Sequence, residues 1–517
     1  MAITLTIKDL NYTHPRYNKY LSTWNEIEEL YEGGTLLENN IEHYIPKRPG
    51  EPLDLYNIRL GKLTYNNILS KSINTLVNKL STGTVNITNS DDEFWVNFRS
   101  DIDMKGTNDD EFINNLFREV LLYGQIFVHV DKPASEFQPR NLREEKELGL
   151  RPYLTIYNAK EVIDWQEDRK GLVLVKTKQE FLYRPTPFST PITKLKWSYI
   201  TDKVIVVYEV LVEKDSRGKI TNILNEAGEI LSDYNDETEL IPSYVIEHGY
   251  GECPVKLLQL NPELWVTGLV IHKLKEAFRT ENYIHDAISI GAHLQRTYKP
   301  YVDPNASKGA FSDEDANDLK LSNASVIKVD KYEIVEMEGT AITVAQQRLK
   351  HIQQELDLVL QMKANTISDE YDESSGRSKM MNYYDQEAAL KNYGKLLIEF
   401  YQRVINLIAR MASTKNIPIV TGLISFKMDT VEETLLFAQG ILTSIELLPD
   451  IALKHFSHKF SKLIIDSEDP ELMKTLHQEV ESLDFTTVRE KGIKPGVNNS
   501  LVSEQQSKPK QKRDDNI

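Results

Sequence analysis

Cysteine is almost absent from this 517-residue sequence, because Cys253 is the single one. That scarcity excludes a fold held by intramolecular disulfides and is typical of a protein made in a reducing compartment. Beside Pro254, the lone thiol is interpreted as a small packed side chain. The N-terminus lacks the basic region and apolar core of a signal peptide, and no run approaches about 18 apolar residues. We therefore expect a soluble protein made in a cytoplasm.

Positive charge is also scarce, since 61 Lys and Arg residues face 78 Asp and Glu residues and give a formal net charge of −17. Such a field repels phosphates, so non-specific attraction to DNA or to anionic membranes is not expected to drive binding. The length allows two or three hydrophobic cores, because single cores rarely grow past roughly 250–300 residues.

Catalytic motifs are missing as well. The nearest approach to a phosphate-binding loop, Gly376-Arg377-Ser378-Lys379, lacks the upstream glycine. Neither a His-Glu-x-x-His helix nor a Gly-x-Ser-x-Gly turn occurs, and His272, His285 and His293 are spaced too widely to form a close ligand pair. The acidic clusters at 91–93 and 109–111 are interpreted as helix caps or solvated faces. No catalytic residue, metal or cofactor is therefore predicted, and the chain is not expected to be an enzyme.

Helical periodicity fills the first part of the chain. Apolar spacing predicts helices near residues 17–31, 56–80 and 108–124, with breakers such as Gly33-Gly34 between them. Residues 125–130 then alternate like a strand, and short β-rich runs follow, most clearly at 172–176, 204–212 and 244–247. The fold class predicted from this pattern is α+β and helix-rich.

Three long helices dominate the second part. The first is predicted from residue 264 to about 295, with the apolar stripe Ile271, Leu274, Phe278, Ile284, Ile288 and Leu294. The second runs from about 345 to 367 and the third from about 378 to 411, each with steps of four and three. A small α+β insert at 303–339, with strand-like pieces at 325–329 and 333–337, separates the first two helices. A strand at 417–426, helices over 431–483 and a disordered tail from about 491 complete the chain.

Basic residues occur along the first long helix and at the polar loop before the third. Lys273, Lys275, Arg279 and Arg296 belong to the first group, and Arg377 and Lys379 to the second. A solvated helix face is the simpler interpretation for any one of them. In a closed ring, the same residues would repeat as rings of charge.

The order of these parts resembles that of the portal proteins of tailed bacteriophages. Local sequence adds to the resemblance in four places: Tyr56-Asn57-Ile58-Arg59, the step from Leu121 to Pro133, the segment 151–165, and Ser374-Ser375-Gly376-Arg377-Ser378. The resemblance covers roughly residues 50 to 480, and the order of the motifs carries most of its weight.

The resemblance implies a division of the chain into named parts. Residues 1–260 would form the wing, 261–300 the first stem helix, 301–341 the clip and 342–367 the second stem helix. Residues 368–379 would form the tunnel loop, 380–429 the long wing helix and a return strand, 430–485 the crown and 486–517 a disordered tail.

The same resemblance implies a structural subunit of the virion, assembled in the host bacterial cytoplasm as a ring of about twelve copies at one capsid vertex. Its partners would be double-stranded DNA in the channel, the major capsid protein, the terminase large subunit and the neck proteins. The implied DNA-channel residues are Ser374, Ser375, Gly376, Arg377, Ser378 and Lys379, together with the four stem cations. The implied docking surface of the clip contains Asp313, Glu314, Asp315 and Asp318.

Three alternatives remain open at the level of the sequence. A head–tail adaptor or another virion scaffold subunit would normally be far shorter. A DNA-processing motor or nuclease subunit would need the missing nucleotide loop or a carboxylate triad. A cytosolic scaffold with coiled-coil arms would form elongated dimers, and the apolar seams do not exclude it.

Overall fold

A computed structural model describes the chain in residues 4–83, 85–88, 92–133, 144, 149–169, 171–215, 218–291, 295–300, 329–335, 339–360, 376–414, 416–423, 426 and 454. The chain divides into two compact units, Met1–Phe426 and Lys427–Ile517. All of the elements below belong to the first unit. The predicted crown and tail lie outside the described residues, apart from residue 454.

The helices of the described residues, in chain order, are α1 (Ile7–Leu10), α2 (Pro15–Glu32), α3 (Gly34–Asn39), α4 (Ile41–Tyr44), α5 (Leu53–Leu60), α6 (Ile68–Leu80), α7 (Glu93–Ser100), α8 (Asp109–Tyr123), α9 (Val266–Gly291), α10 (Thr340–Val359) and α11 (Gly376–Met411).

The strands are β1 (Leu5–Thr6), β2 (Val85–Thr88), β3 (Gln125–Asp131), β4 (Tyr153–Tyr157), β5 (Val162–Asp168), β6 (Gly171–Tyr183), β7 (Ile192–Thr201), β8 (Val204–Lys214), β9 (Ile220–Leu224), β10 (Ile230–Asp233), β11 (Glu239–Leu240), β12 (Tyr244–Glu247), β13 (Val255–Gln259), β14 (Gln295–Pro300), β15 (Val329–Val335) and β16 (Ile419–Gly422). The mixed α+β class predicted from the sequence is confirmed.

One antiparallel sheet contains seven of these strands. Its order is β10-β9-β8-β7-β6-β5, and β12 pairs with the first residues of β8. The predicted strand at 244–247 is confirmed, whereas those at 172–176 and 204–212 are parts of longer strands, because β6 and β7 pair over ten residues and sustain each other. Cys253 is buried beside Ile200, as the sequence predicted, and burial raises the pKa of its thiol to about 11.

The predicted helix over 56–80 is wrong as a single element, because α5 ends at Leu60 and α6 begins at Ile68. Gly61 follows α5, and the Asn67 side chain caps α6 by accepting from the amide of Ser70. Asn67 also donates to the carbonyl of Tyr31 at 2.7 Å, which ties the break to the end of α2. Apolar spacing alone does not detect such a break, because Leu60, Leu63 and Ile68 continue the apolar pattern across it.

The step from α8 to β3 agrees with the prediction at both ends of the helix. Asn108 caps α8 by accepting from the amide of Glu111, and acidic residues occupy the first turn. Gly124 ends the helix with φ of +72°, and a Cβ there would lie 2.8 Å from the Trp265 ring. Glycine is therefore required at this position by conformation and by space.

Helix α11 extends over 36 residues, and its predicted stripe is buried along its length. Strand β16 is shorter than the predicted 417–426 and pairs with β2 of the N-terminal region. Gly394 of α11 packs against the segment after β16, where a Cβ would come within 2.5 Å of the carbonyl oxygen of Leu423. A close helix–strand approach thus fixes the C-terminal end of the described core.

Candidate functional site

Helices α9 and α10 form an antiparallel pair. The ammonium of Lys273 lies 2.7 Å from Glu355, and Arg348 lies 2.8 Å from Glu276, so residue numbers rise on one helix as they fall on the other. Between them the seam is apolar, with five fully or nearly fully buried side chains: Ile271, Leu274, Phe278, Ile352 and Leu356. These two helices are the elements in which the sequence predicts the stem.

A second face of α9 is bound to the N-terminal helices by polar groups. The polar residues of this face recur in steps of four and three, and we call them the polar stripe: Lys275, Arg279, Asn282, Asp286 and Ser289. Each member reaches a different point of the segment 26–64.

The contacts of this polar stripe are specific. Lys275 pairs with Glu26 at 2.8 Å, and Arg279 donates to the carbonyl oxygen of Tyr44 at 2.6 Å. The amide of Asn282 both accepts from the backbone N–H of Thr64 and donates to its carbonyl oxygen. Farther along, Asp286 pairs with Arg48, and Ser289 accepts from Lys62. Neither apolar periodicity nor the positions of cations reveal this stripe, because its signal in the sequence is polar residues at heptad spacing.

Glu26 is the most connected acid of this contact. Burial alone would raise the pKa of its carboxyl group, but hydrogen bonds from Lys275 and His43 outweigh that effect and lower the pKa. A partly buried cation and a partly buried anion therefore neutralise each other at the junction of α2 and α9.

Three of the four predicted stem cations are thus bound within the chain. Lys273 pairs with Glu355 of α10, Lys275 pairs with Glu26 of α2, and Arg279 binds carbonyl oxygens at the end of α4. Arg296 belongs to β14, and its side chain is not described. The three described cations contact three different elements and are not gathered at one site. Rings of charge from these residues stay a prediction.

The first long helix ends earlier than predicted. Residues 295–300, which were assigned to the helix or its end, form β14 and pair with β15. Thr297 and Tyr298 are better suited to a strand than to a helix, and β15 supplies the pairing partner. The predicted pieces at 325–329 and 333–337 are also corrected, because one strand covers 329–335. The predicted docking residues Asp313, Glu314, Asp315 and Asp318 lie outside the described residues.

The α9–α10 pair exposes four large apolar side chains, beside the exposed ion pair between Glu276 and Arg348. Leu269 and Leu358 are 53% and 58% exposed, and Tyr283 and Val344 are 43% and 60% exposed. The antiparallel register places the first two near one end of the pair and the other two near its opposite end. Ile288, predicted to be buried, is also exposed, because the same register puts the start of α10 opposite residues 284–288 and leaves little beyond it. We refer to Leu269, Tyr283, Val344 and Leu358 as the outward apolar face.

The predicted tunnel loop at 368–379 is corrected at its end. Gly376, Arg377, Ser378 and Lys379 are the first residues of α11, while Ser374 and Ser375 lie outside the described residues. The polar composition suggested a loop, but Arg, Ser and Lys are tolerated in a helix and no proline interrupts the run that follows. The side chains of 376–379 are not described.

The start of α9 is fixed by the middle of α11 and by the end of α8. Tyr393 of α11 donates to the carbonyl oxygen of Leu264 at 2.6 Å. The last carbonyls of α8 accept from three side chains: Leu121 from Thr267, Leu122 from Trp265, and Tyr123 from Trp24. Carbonyls at the end of a helix have no partner within it, so these bonds satisfy groups that burial would otherwise penalise.

A polar groove of about 500 Å³ lies along α2 and the step from α3 to α4. Its carboxylates are engaged, since Glu26 binds Lys275 and His43, and Glu29 accepts from Asn40 and Tyr44. Among the described residues no group of three metal-ligating side chains converges. Nor is any helix in the described part of the chain both long and apolar enough to cross a membrane.

Comparison with known proteins gives no family model that matches this chain and no curated protein that matches it. Two similar solved structures are those of a chain in the virion of a native gene transfer agent particle and of a chain in the neck of an empty gene transfer agent particle. The first is 8% identical, with a TM-score of 0.36 over 78% of this chain and 91% of the other. The second is 10% identical, with a TM-score of 0.39 over 81% and 95%. Because both TM-scores are below 0.5, the likeness carries no argument about fold or function.

Proposed function

We propose that this chain is a portal subunit, a structural protein that forms a ring at one vertex of a phage-type capsid and leaves a channel for DNA packaging and ejection. The order of its elements supports the proposal. A mixed domain is followed by α9, the strands β14 and β15, the returning helix α10, and then the 36-residue α11. This is the order that the sequence resemblance implies.

The outward apolar face is the observation that carries the proposal. Four large apolar side chains on a helix pair are costly to leave in water and are typical of a surface that packs against another chain. A neighbouring side of α9 is already held by the polar stripe, and Arg48, which pairs with Asp286 of that stripe, also lies over the ring of Tyr283. Each copy would therefore offer the outward apolar face in a fixed orientation. A closed ring needs such a surface to meet a different surface of the next copy.

The channel surface follows from the charge of the chain. A channel through which DNA slides must not bind it tightly, because each phosphate contact adds salt-dependent affinity. The net charge of −17 meets that need. We propose that Arg377 and Lys379, at the start of α11, touch the DNA backbone transiently, and that Arg296 is the stem cation left to do so. The acids 313–315 and 318 would belong to the surface that docks the terminase large subunit and later the neck proteins, and the major capsid protein would surround the ring.

Negative-stain electron microscopy of the purified chain, with mass measured in parallel, tests the proposal. Closed rings of about twelve copies with a central hole are expected. Elongated dimers would overturn it and favour a coiled-coil scaffold that uses the same apolar face. If only monomers form, the measurement is repeated with the capsid partners, and a chain that stays monomeric there is not a portal subunit.

A head–tail adaptor or another virion scaffold remains the alternative within the same class. Such a subunit would join a preformed vertex and would not form rings alone or with capsid protein. A DNA-processing motor or nuclease is the alternative from another class. Measurable ATP or DNA hydrolysis by the purified chain would favour it over both structural readings.

A further inference from the structure

Strand β12 lies at an open edge of the seven-stranded sheet. It pairs antiparallel with β8 from Tyr244 opposite Val207 to Glu247 opposite Val204. No second strand lies beside it among the described residues. The far edge of the sheet is different, because the amide of His14 donates to the carbonyl of Ile163 in β5 at 2.8 Å and covers that edge with the chain itself.

The backbone pattern shows which groups of β12 are free to pair. His248 donates its amide to the carbonyl of Lys203 at 2.8 Å, and bonds in an antiparallel ladder alternate along the strand. Ile246 therefore directs its amide to β8, and Val245 and Glu247 direct theirs to the open edge. The alternation stops before the strand, where the amide of Ser243 donates to the carbonyl of Val207 at 2.8 Å. An added strand could pair there with the N–H and C=O groups of Val245 and Glu247.

The side chains of β12 are exposed on both faces of the sheet. Tyr244, Val245 and Ile246 are 40%, 47% and 39% exposed. Ile241, three residues before Tyr244 in sequence, is also exposed. Natural edge strands are usually protected by lysine, proline or a bulge, because an apolar edge with free backbone groups recruits other strands. Tyr244–Glu247 contains no lysine, proline or bulge, and its protection is limited to its length of four residues and to Glu247.

Charge indicates what kind of segment fits the edge. From residue 220 to residue 255 the sequence contains eight acidic residues and no Lys or Arg. Two of the acids lie at opposite ends of the edge: Glu247 is on β12, and Glu226 is in the turn between β9 and β10. Strand β9 pairs with the same side of β8 as β12 does. Both acids are exposed.

We propose that the open edge of β12 binds an extended segment of a partner protein in which apolar residues alternate with Lys or Arg. The segment would add to the sheet as a strand, placing its apolar side chains on Tyr244 and Ile246 and its basic side chains toward Glu226 and Glu247. Backbone pairing supplies affinity, and the acidic border selects positive charge. This site is independent of the ring proposed above, because it lies on the sheet and uses no residue of α9 or α10.

The test is fluorescence anisotropy of the full-length protein with a labelled decapeptide of alternating Val and Lys. We expect saturable binding that weakens about ten-fold or more between about 50 and 300 mM salt. A decapeptide of alternating Val and Glu is expected not to bind. Equal binding of the two peptides, or none of the Val-Lys peptide up to about 1 mM, would overturn the proposal.

Two variants of the chain separate the edge from charge alone. Val245→Pro removes an outward N–H and leaves the ladder with β8 intact, and Glu226→Lys/Glu247→Lys reverses the border. Each is expected to weaken binding about ten-fold or more. Asp54→Lys/Glu399→Lys makes the same change in net charge at exposed positions elsewhere and is expected to change binding less than about two-fold.

Two further outcomes are decisive. If Val245→Pro fails to fold by circular dichroism, Val245→Lys places a charge at the same edge and must give the same loss of binding. If the Val-Lys peptide binds Val245→Pro and wild type equally while Val245→Pro loosens self-association in sedimentation, the edge belongs to a second copy of the chain and the proposal is wrong.

Discussion

The indole N–H of Trp265 donates to the carbonyl oxygen of Leu122 at 3.0 Å, joining the start of α9 to the end of α8 across 143 residues. Trp24 and Thr267 satisfy the two neighbouring carbonyls. The orientation of the α9–α10 pair on the rest of the core therefore depends on a few hydrogen bonds as well as on apolar packing.

Trp265→Phe is expected to destabilise the fold by about 1–3 kcal/mol, because it leaves a buried carbonyl without its donor. Denaturant unfolding measures the change. Trp197→Phe is the matched control, since its indole N–H is buried with no hydrogen-bond partner among the described residues. An equal loss in the two variants would show that ring volume, and not the hydrogen bond, holds the junction.

Gly394→Ala is expected to destabilise the chain by about 1–3 kcal/mol, although alanine favours a helix by about 1 kcal/mol. The added Cβ would lie 2.5 Å from the Leu423 carbonyl oxygen and must push α11 away from the segment after β16. Thermal unfolding measures the effect. Gly61→Ala, whose Cβ would meet only ordinary contacts at 3.6 Å, is expected to be neutral or stabilising, and equal losses would contradict the steric explanation.

The raised pKa of Glu119 predicts how the stability of the fold changes with pH. Burial, with the nearby carboxylates of Glu161 and Glu28 and against the opposing charge of Arg118, raises the pKa of Glu119 to about 7. Below about pH 4.5, a carboxyl group whose pKa is raised by folding does not change the free energy of unfolding. Between that pH and about pH 7 it lowers the free energy of unfolding, by at most about 1.4 kcal/mol per pH unit. Glu119→Gln should therefore stabilise the fold at pH 8 and not at pH 4.

Denaturant unfolding of both proteins across this range measures that difference. Asn114→Gln, a neutral change on the same helix, is the control for packing effects. A gain from Glu119→Gln that is the same at pH 4 and pH 8 would refute the electrostatic cause.

The outward apolar face predicts a defect in assembly. Leu269→Lys/Leu358→Lys places two charges where copies would pack and is expected to abolish rings in negative-stain images while leaving the helix content unchanged. Leu53→Lys/Leu55→Lys changes equally exposed residues of α5 and should leave the rings intact. Normal rings from the first variant would remove this face from the proposed contact.

The start of α11 predicts an effect on DNA. Arg377→Ala/Lys379→Ala is expected to reduce DNA retention several-fold in a packaging assay with the capsid partners, because transient phosphate contacts are lost. Lys47→Ala/Lys395→Ala removes two exposed charges elsewhere and is expected to have no effect. Normal packaging and retention by the first variant would contradict the proposed contact of Arg377 and Lys379 with the DNA backbone.

Sequence periodicity located the helices that bury one continuous stripe. Helix α8, with Asn108 and Gly124 at its ends, and α11, with Tyr393 and Phe400 on its stripe, were predicted in this way. Where a residue far away in sequence decides the conformation, periodicity failed. Asn282 bonds Thr64 inside the break between α5 and α6, and β15 turns the end of the first long helix into β14.

The candidate site was predicted only in part for the same reason. The sequence indicated Lys273, Lys275 and Arg279 as charges on a helix, but their partners Glu355 and Glu26 and the carbonyl of Tyr44 come from three other elements. Composition shows that a cation is present, and only the fold shows whether it is already neutralised.

The pairing of β2 with β16 can form only late in the synthesis of this protein. Thr88 and Ile419 lie 331 residues apart, so a ribosome adding about 5–20 residues per second separates them by roughly 15–65 s. During that interval the inward side chains of β2 and the indole N–H of Trp95, which later donates to Asn416, have no native partner. The nascent chain therefore carries an unfinished strand edge until its last long helix has emerged, and this is the period in which chaperone binding would matter most.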